Sequence, residues 1–361
     1  MKILIAAGGT GGHINPGIAI GKMLSAKGNQ VKFVGTNIGM EKDLVPKAGF
    51  ELEMVHSEGL HRGLSLKNIK TMMTLNQGVV DCKALIKKEK PDLVIGTGGY
   101  VTAPLMIAGL KLKVPTMIHE SNALPGKTTI WLSKSVDVVA LGFEDAKRHI
   151  PNAKNAVFTG NPTSMNIAIS KDEMKKKLGI NGKLLLVFGG SQGAKKINDT
   201  MVELINDNKL TGYEVIYATG NSNYDEVVSN VKIKNKNIKI EKYIYNMNEV
   251  MKAADLVVCR SGALTVTEIA IVGVPSILIP FPYAAENHQF YNAKTLEDVG
   301  AGIVIEEKNL TKDILEEKIN EVMKNDRKIN EMSNNAKKIG DNQALERIEK
   351  TINSLMGKKK K

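Results

Sequence analysis

Cysteine is nearly absent from this chain: Cys82 and Cys259 are the only two in 361 residues. They lie far apart and lack metal-ligand spacing. That excludes a disulfide scaffold and a cysteine-rich zinc site, and it points to free, buried thiols in a reducing cytosol. Aromatic residues make up only 4% of the chain, and no motif interleaves them with basic ones. That excludes a surface that reads nucleic acid by stacking. No apolar run approaches the ~18 residues that span a bilayer. Met1 to Ala7 is apolar after Lys2 but leads directly into a glycine loop, with no polar spacer or cleavage region. It reads as a first core strand rather than a signal peptide. Acidic residues are in deficit, 38 against 50 basic, for a net charge of +12. A lysine-rich composition with a solvated tail, Lys358 to Lys361, accounts for part of this. Attraction to an anionic surface accounts for it more pointedly, at about 1 kcal/mol per well-placed cation.

Two common phosphate motifs are also missing. No Gly-Lys-Ser/Thr follows Gly8-Gly9-Thr10-Gly11-Gly12-His13, so there is no Walker A loop. Gly9, Gly11 and Ile14 miss the dinucleotide spacing, and Val31 to Val34 leads to Gly35-Thr36-Asn37 without a closing acid. A nicotinamide or flavin cofactor is disfavoured.

What the chain does carry is a pentapeptide pattern, Gly-Gly-Thr/Ser-x-Gly, used twice. Gly8-Gly9-Thr10-Gly11-Gly12 recurs 181 positions later as Gly189-Gly190-Ser191-Gln192-Gly193. Each copy follows an apolar β-branched run and precedes a helical pattern. A strand, a glycine turn and a helix N-terminus together offer free N–H groups and a favourable dipole to a phosphate or a sugar hydroxyl. The offset is half the chain, which predicts two similar α/β domains with a ligand held between them.

The rest of the pattern agrees. Strands are expected at 2–7, 31–34, 51–55, 92–96, 114–118, 136–140 and 155–159, with helices near 15–27, 40–48, 66–88, 102–111 and 143–149. In the second half, strands are expected near 183–188, 213–218, 238–240, 255–259, 275–279 and 301–305. Helices there fit 194–207, 246–253, 263–272, 287–298 and 311–325. Alternating strands and helices imply doubly wound parallel sheets. Thr159-Gly160-Asn161-Pro162 is a turn-rich joint. After Gly340-Asp341-Asn342, a last amphipathic helix carries Ala344, Ile348, Ile352 and Leu355 on one face.

Ligands of such sheets bind beyond the carboxyl ends of strands. Both glycine loops, Gly98-Gly99-Tyr100, His119-Glu120-Ser121-Asn122 and Arg260-Ser261-Gly262 all fall there. His13 opens a helix, where the dipole favours a neutral imidazole; it reads equally as a general base or as a packed, capping histidine. Glu120 and Asn122 place an acid and an amide at a strand end, either to meet a polar substrate or to form a turn. Ser261 is expected as a helix N-cap. Glu268, on that helix, can accept two hydrogen bonds from a vicinal diol or simply be solvated. Glu286-Asn287-His288-Gln289 offers the mixed donors and acceptors a sugar requires, or an ordinary cap. Leu64 to Val80 mixes Leu64, Leu66, Ile69, Met72, Met73 and Leu75 with Arg62, Lys67 and Lys70. It is either a core-facing stripe or a basic-rimmed surface that dips into a membrane.

Taken together, Gly8 to His13, Gly98 to Tyr100, His119 to Asn122, Thr159 to Pro162, Gly189 to Gly193, Arg260 to Thr265 and Asn287 to Gln289 resemble the MurG family of peptidoglycan N-acetylglucosaminyltransferases. The resemblance implies a GT-B fold: two Rossmann-like domains with the active site in the cleft. It divides the chain into 1–160, an acceptor and membrane-facing domain; 161–340, a donor domain; helix 341–356 crossing back onto the first; and a basic tail, 357–361. It implies an inverting transfer of N-acetylglucosamine from UDP-N-acetylglucosamine to lipid I, making lipid II, without a metal or other cofactor. No Asp-x-Asp stands near a strand end, which agrees.

By position, the resemblance assigns the diphosphate to Ser191 with Gln192, the ribose to Glu268 and the uracil edge to backbone around Ile244. It assigns the sugar to Gln289, His288 and Asn122. It sets Gly9, Thr10, Gly11, Gly12, Gly98, Gly99 and Tyr100 against the pyrophosphate and acceptor, with Thr10, Gly11 and Gly12 also within reach of the donor. His13 becomes the candidate base. Implied partners are UDP-N-acetylglucosamine, lipid I and an anionic membrane surface, with no nucleic acid. The implied location is peripheral, on the cytoplasmic face of the cell membrane. One departure stands out: the family commonly has an arginine shortly after Gly-Asn-Pro, where this chain has Thr163 and Ser164.

Overall fold

In the computed structural model, residues 1–59, 67–163, 165 and 168–359 are described, and side chains at 67–70 and 359 are not. The chain packs as two units, Met1–Ser164 with Asn342–Lys361, and Met165–Asp341.

The first unit alternates strand and helix from its first residues. Its elements are β1 (Lys2–Ala6), α1 (Gly11–Ala26), β2 (Gln30–Gly35), α2 (Glu41–Lys47), β3 (Leu52–Met54) and α3 (Lys67–Glu89). There follow β4 (Leu93–Gly96), α4 (Thr102–Lys111), β5 (Thr116–Glu120), α5 (Lys127–Ser133), β6 (Val138–Leu141) and β7 (Ala156–Phe158). The strands form one parallel sheet in the order β3-β2-β1-β4-β5-β6-β7. Alternation along β1 sorts its side chains onto two faces. Leu4 and Ala6 join a core with Cys82, Leu85, Leu105 and Leu141. Ile3 and Ile5 join the opposite core with Ile14, Ile20 and Phe33.

The second unit holds α6 (Lys171–Leu178), β8 (Leu184–Phe188), α7 (Lys195–Asn206), β9 (Glu214–Ala218), α8 (Tyr224–Asn230), β10 (Ile238–Glu241) and α9 (Met247–Ala253). It continues with β11 (Leu256–Cys259), α10 (Ala263–Val272), β12 (Ser276–Leu278), α11 (His288–Glu297), β13 (Gly302–Val304), α12 (Lys312–Met323) and α13 (Asp326–Ile339). Its sheet is parallel, in the order β10-β9-β8-β11-β12-β13. The last helix, α14 (Ala344–Lys359), belongs to the first unit, where Ile348, Ile352 and Leu355 complete the core around Ile3 and Ile14. Both units are Rossmann-like, and the fold class is GT-B.

Four helices fall outside the ranges read from sequence: α5, α6, α8 and α13. The segment expected as a helix over 143–149 is a 3-10 turn, Glu144–His149. Helix α1 begins at Gly11, four residues before the range read from sequence, so His13 lies in its first turn. Both cysteines are free and buried, and burial pushes the Cys82 thiol up to about 12. Among the described residues, no helix is long and apolar enough to cross a membrane.

Candidate functional site

In the first unit, the glycine loop after β1 is locked to the loop after β4. Gly9 and Gly99 take positive φ, +89 and +76°, a region closed to most side chains. A Cβ on Gly99 would stand 2.1 Å from the Gly8 carbonyl oxygen. One on Gly98 would stand 2.2 Å from His13 Nδ1, so the His13 ring lies close against the chain there. Thr97 Oγ1 donates to the His13 carbonyl at 2.8 Å. Thr10 sits at the N-cap position without capping through its side chain.

Behind this loop sits Glu41, fully buried at the first position of α2. Its Oε2 accepts from Gly9 N–H at 2.9 Å. Its Oε1 accepts from Thr36 N–H, Thr36 Oγ1 and the Tyr100 hydroxyl, at 3.1, 2.8 and 3.1 Å. Burial pushes the Glu41 carboxyl up, but the bonds from Gly9, its own backbone and Thr36 outweigh it and hold the group below the usual range. Gly9 therefore contributes shape rather than a donor to any ligand, because its N–H is spent. The Tyr100 hydroxyl is likewise occupied with Glu41 and Thr36.

At the end of β5, Glu120 is 5% exposed. Its oxygens accept from Asn122 N–H and Nδ2 at 3.0 and 3.1 Å, and from Gly126 N–H and Thr129 Oγ1 at 3.1 and 2.6 Å. The acid expected to meet a substrate instead builds the turn that presents Asn122. His119 is buried; its Nε2 pairs with the Gly160 carbonyl at 3.1 Å. Burial pushes its pKa down, against the Gly160 bond and the Glu120 charge, so the ring is held neutral.

In the second unit, the glycine loop after β8 locks onto the end of the neighbouring strand β9. Gly193 (φ +78°) and Gly220 (φ +86°) interleave: a Cβ on Gly193 would lie 2.0 Å from the Thr219 carbonyl oxygen, and one on Gly220 would lie 2.2 Å from Gly193 N. Asn223 Nδ2 donates to the Gln192 carbonyl at 3.0 Å. Asn198, held by the Tyr217 hydroxyl at 2.7 Å, donates to Thr219 O at 3.0 Å. Ser191 and Gln192 are left exposed ahead of the α7 N-terminus.

Ile244 follows β10; its side chain is buried, and within the described chain its backbone N–H and C=O make no hydrogen bond. Glu268 is half-buried in the second turn of α10. Ser261 is not the cap of α10: Gly262 holds that position, and Ser261 Oγ donates to the Gln289 carbonyl at 2.8 Å. The Gln289 side-chain oxygen accepts from Phe281 N–H at 3.0 Å, which leaves its NH₂ as the group it can offer. His288 Nδ1 donates to the Ala285 carbonyl at 2.7 Å, which leaves Nε2 as the ring nitrogen it can offer. Glu286 and Asn287, at φ +52 and +56°, form a left-handed pair that aims the start of α11. Arg260 anchors this loop, donating to the carbonyls of Ile279 and Pro280 and pairing with Glu307.

Ser191, Gln192, Ile244, Glu268, His288 and Gln289 thus hang on segments that follow β8, β10, β11 and β12, at the carboxyl edge of one sheet. Thr10, Gly11, Gly12, His13, Gly98, Gly99, Tyr100 and Asn122 do the same in the other unit. Sequence reasoning missed Glu41, Asn198 and the Thr219-Gly220 lock; a buried glutamate in a helical pattern leaves no signal in composition. Arg62, Leu64 and Leu66 lie outside the described residues. Among the described residues, no group of three or more His, Cys, Asp and Glu gathers to hold a metal.

This pairing of Rossmann-like units, each with a glycine loop at a strand end, is a glycosyltransferase arrangement. The N-terminal domain of glycosyltransferase family 28 matches residues 3–141, and its C-terminal domain matches residues 184–349. The chain belongs to this family and, within it, to the group of N-acetylglucosamine transferases that follows. A protein of Acetivibrio thermocellus, named UDP-N-acetylglucosamine--N-acetylmuramyl-(pentapeptide) pyrophosphoryl-undecaprenol N-acetylglucosamine transferase, is 46% identical over 99% of both chains. One of the same name from Bacillus cytotoxicus is 42% identical over 99% of this chain and 100% of its own. The crystal structure of Acinetobacter baumannii MurG superposes with a TM-score of 0.79 at 28% identity, covering 98% of this chain and 99% of its own. A UDP-N-acetylglucosamine 2-epimerase structure from Listeria monocytogenes shares the fold, with a TM-score of 0.68 at 15% identity over 98% and 96%.

Proposed function

We propose that this protein transfers N-acetylglucosamine from UDP-N-acetylglucosamine to the muramyl 4-hydroxyl of lipid I, forming lipid II with inversion and without a metal. The observation that carries this reading is the pair of glycine loops at helix N-termini, one per unit. The relatives' name describes two substrates that each bear a diphosphate, so each loop has one to receive. The second unit's loop, with Ser191 and Gln192, takes the donor diphosphate. Ile244 offers an unused backbone N–H and C=O to the uracil edge, and Glu268 takes the ribose. His288 and Gln289 take the sugar. The first unit's Thr10 to His13 takes the acceptor pyrophosphate.

In the reaction, the acceptor oxygen attacks the anomeric carbon as its bond to the UDP oxygen breaks. The hydroxyl proton passes to His13, and the departing phosphate charge falls on the α7 N-terminus and loop N–H groups. No arginine follows Pro162 here, so either a basic residue from elsewhere or these donors alone meet that charge.

The lipid acceptor requires the enzyme to visit a membrane, peripherally and on the cytoplasmic face. Met72, Met73 and Val80 are exposed at 61, 69 and 57%, at helical spacing on one face of α3. The exposed Trp131 lies on α5, and α4 packs against both helices. With the net charge of +12, this favours an anionic surface.

The test is transfer of labelled N-acetylglucosamine to a short-chain lipid I analogue with EDTA present. Label in the disaccharide lipid is expected. Donor turnover without acceptor would overturn the reading in favour of an epimerase. Inactivity toward both would overturn it outright. An unchanged kcat in His13→Ala would remove His13 as the base.

A further inference from the structure

We propose that Glu41 is a positioning residue for the acceptor side of the reaction, holding the first glycine loop in its ligand-receiving shape through one bond to Gly9. The inference rests on the reading above, in which Thr10 to His13 meets the acceptor. Glu41 ties together the chain after β1, after β2 and after β4, through Gly9, Thr36 and Tyr100. Neighbouring glycines make room for it. A Cβ on Gly39 would fall 2.0 Å from Glu41 Oε2, and one on Gly35 would fall 2.7 Å from its Cγ. Every group that faces the carboxylate is a donor, so a charged acceptor is what the cage requires. Tyr100 supports this: burial, together with the Glu41 charge and hydrogen bond, pushes its pKa up despite the opposing Thr36 bond, so the phenol keeps the proton it donates.

The two oxygens are not equivalent. Oε1 takes its donors from Thr36 and Tyr100, whereas Oε2 takes the Gly9 N–H. An amide at this position keeps its oxygen where the Thr36 and Tyr100 donors are and turns its NH₂ toward Gly9. Glu41→Gln therefore sets donor against donor at the loop and leaves the rest of the cage in place. With Gly9 N–H released, the φ of +89° there loses its tether, and the N–H groups of the next residues lose their shared aim.

The expected result for Glu41→Gln is an acceptor KM raised about tenfold, the factor that 1.4 kcal/mol represents. Donor KM and UDP affinity stay within about twofold of wild type. Glu41→Asp keeps the charge but withdraws it by one carbon–carbon bond, and it gives the same split; it is read if the glutamine variant does not fold. Thr36→Val removes a donor on the Oε1 side only, so it lowers stability and leaves the acceptor KM near wild type. The proposal is overturned if donor and acceptor KM rise together, if neither moves, or if Thr36→Val matches Glu41→Gln. Transfer by the wild-type protein in the same assay separates these outcomes from failure of the functional reading itself.

Discussion

Gly193→Ala is the substitution that tests the donor loop most directly. Gly193 has φ +78°, where an L side chain costs about 1–2 kcal/mol. Its new Cβ would also stand 2.0 Å from Thr219 O and 2.6 Å from Asn223 Nδ2. Carbon and oxygen do not approach within about 3 Å without bonding, so the loop must shift by roughly 1 Å. A displacement of that size at a site of reaction costs up to about 100-fold. Loss of one or two charge-assisted bonds to the diphosphate, about 1.5–3 kcal/mol each, predicts UDP binding weaker by at least about tenfold. Two controls isolate the clash. Gly190 (φ +91°) lies in the same loop, and Gly212 (φ +84°) lies outside it; a Cβ on either meets nothing within 4 Å. Both alanine variants lose about 2–8 °C in Tm from strain alone, while Gly212→Ala binds UDP normally. Isothermal calorimetry with UDP is the assay. Wild-type affinity in Gly193→Ala would refute the assignment of this loop to the diphosphate.

Other predictions follow from charges and surfaces. Asp255 is buried between Lys171 and Lys175, at 2.5 and 2.6 Å, and also accepts from Leu184 N–H at 2.7 Å. Burial pushes its carboxyl up, but the lysines and Leu184 hold it below the usual range. Asp255→Asn strands two cations and should cost about 3 kcal/mol in urea unfolding, at the low end for a buried pair because Lys171 can turn to water. Because its folded pKa is depressed, the stabilisation Asp255 gives is present above the unfolded carboxylate value and is lost as pH falls through the folded one. His119 acts in the same direction from a different cause. Burial holds it neutral, so below about pH 6.5 the unfolded chain binds a proton that the folded chain refuses. Tm should fall with pH through that range, with a shallower slope in His119→Gln; equal slopes would count against the buried neutral ring. Finally, Met72→Glu with Met73→Glu should reduce salt-sensitive pelleting with anionic vesicles and leave UDP binding intact.

Much of the fold was legible because parallel strands buried on both faces write continuous apolar runs. The glycine loops were legible because few residues tolerate φ above zero. Helix α6 carried a signal that was passed over: Ser170 and Glu173 form a reciprocal capping box at its start. Helix α13 likewise has Asn325 accepting from Lys328 N–H. Helix α8 had less to offer, since Val227 is its one buried residue. At the site, sequence named the residues at strand ends but not what each is spent on. Glu120 and Tyr100 look like ligand-facing groups in sequence, and both turn inward. For Tyr100 and Glu41 this depends on chain segments tens of residues apart, which no local pattern records, whereas Glu120 turns onto donors of its own loop, at Asn122, Gly126 and Thr129.

The place of α14 has a consequence for how the protein is made. The strands of the first unit leave the ribosome before residue 160, yet one face of their sheet is closed by Ile348, Ile352 and Leu355. At about 5–20 residues per second, that face waits roughly 10–40 s for its cover. The second unit, Met165–Asp341, is contiguous in sequence and can fold as it emerges. The half synthesised first is thus the half finished last, and an apolar face around Ile3 and Ile14 is on offer to chaperones, or to other nascent chains, in the interval.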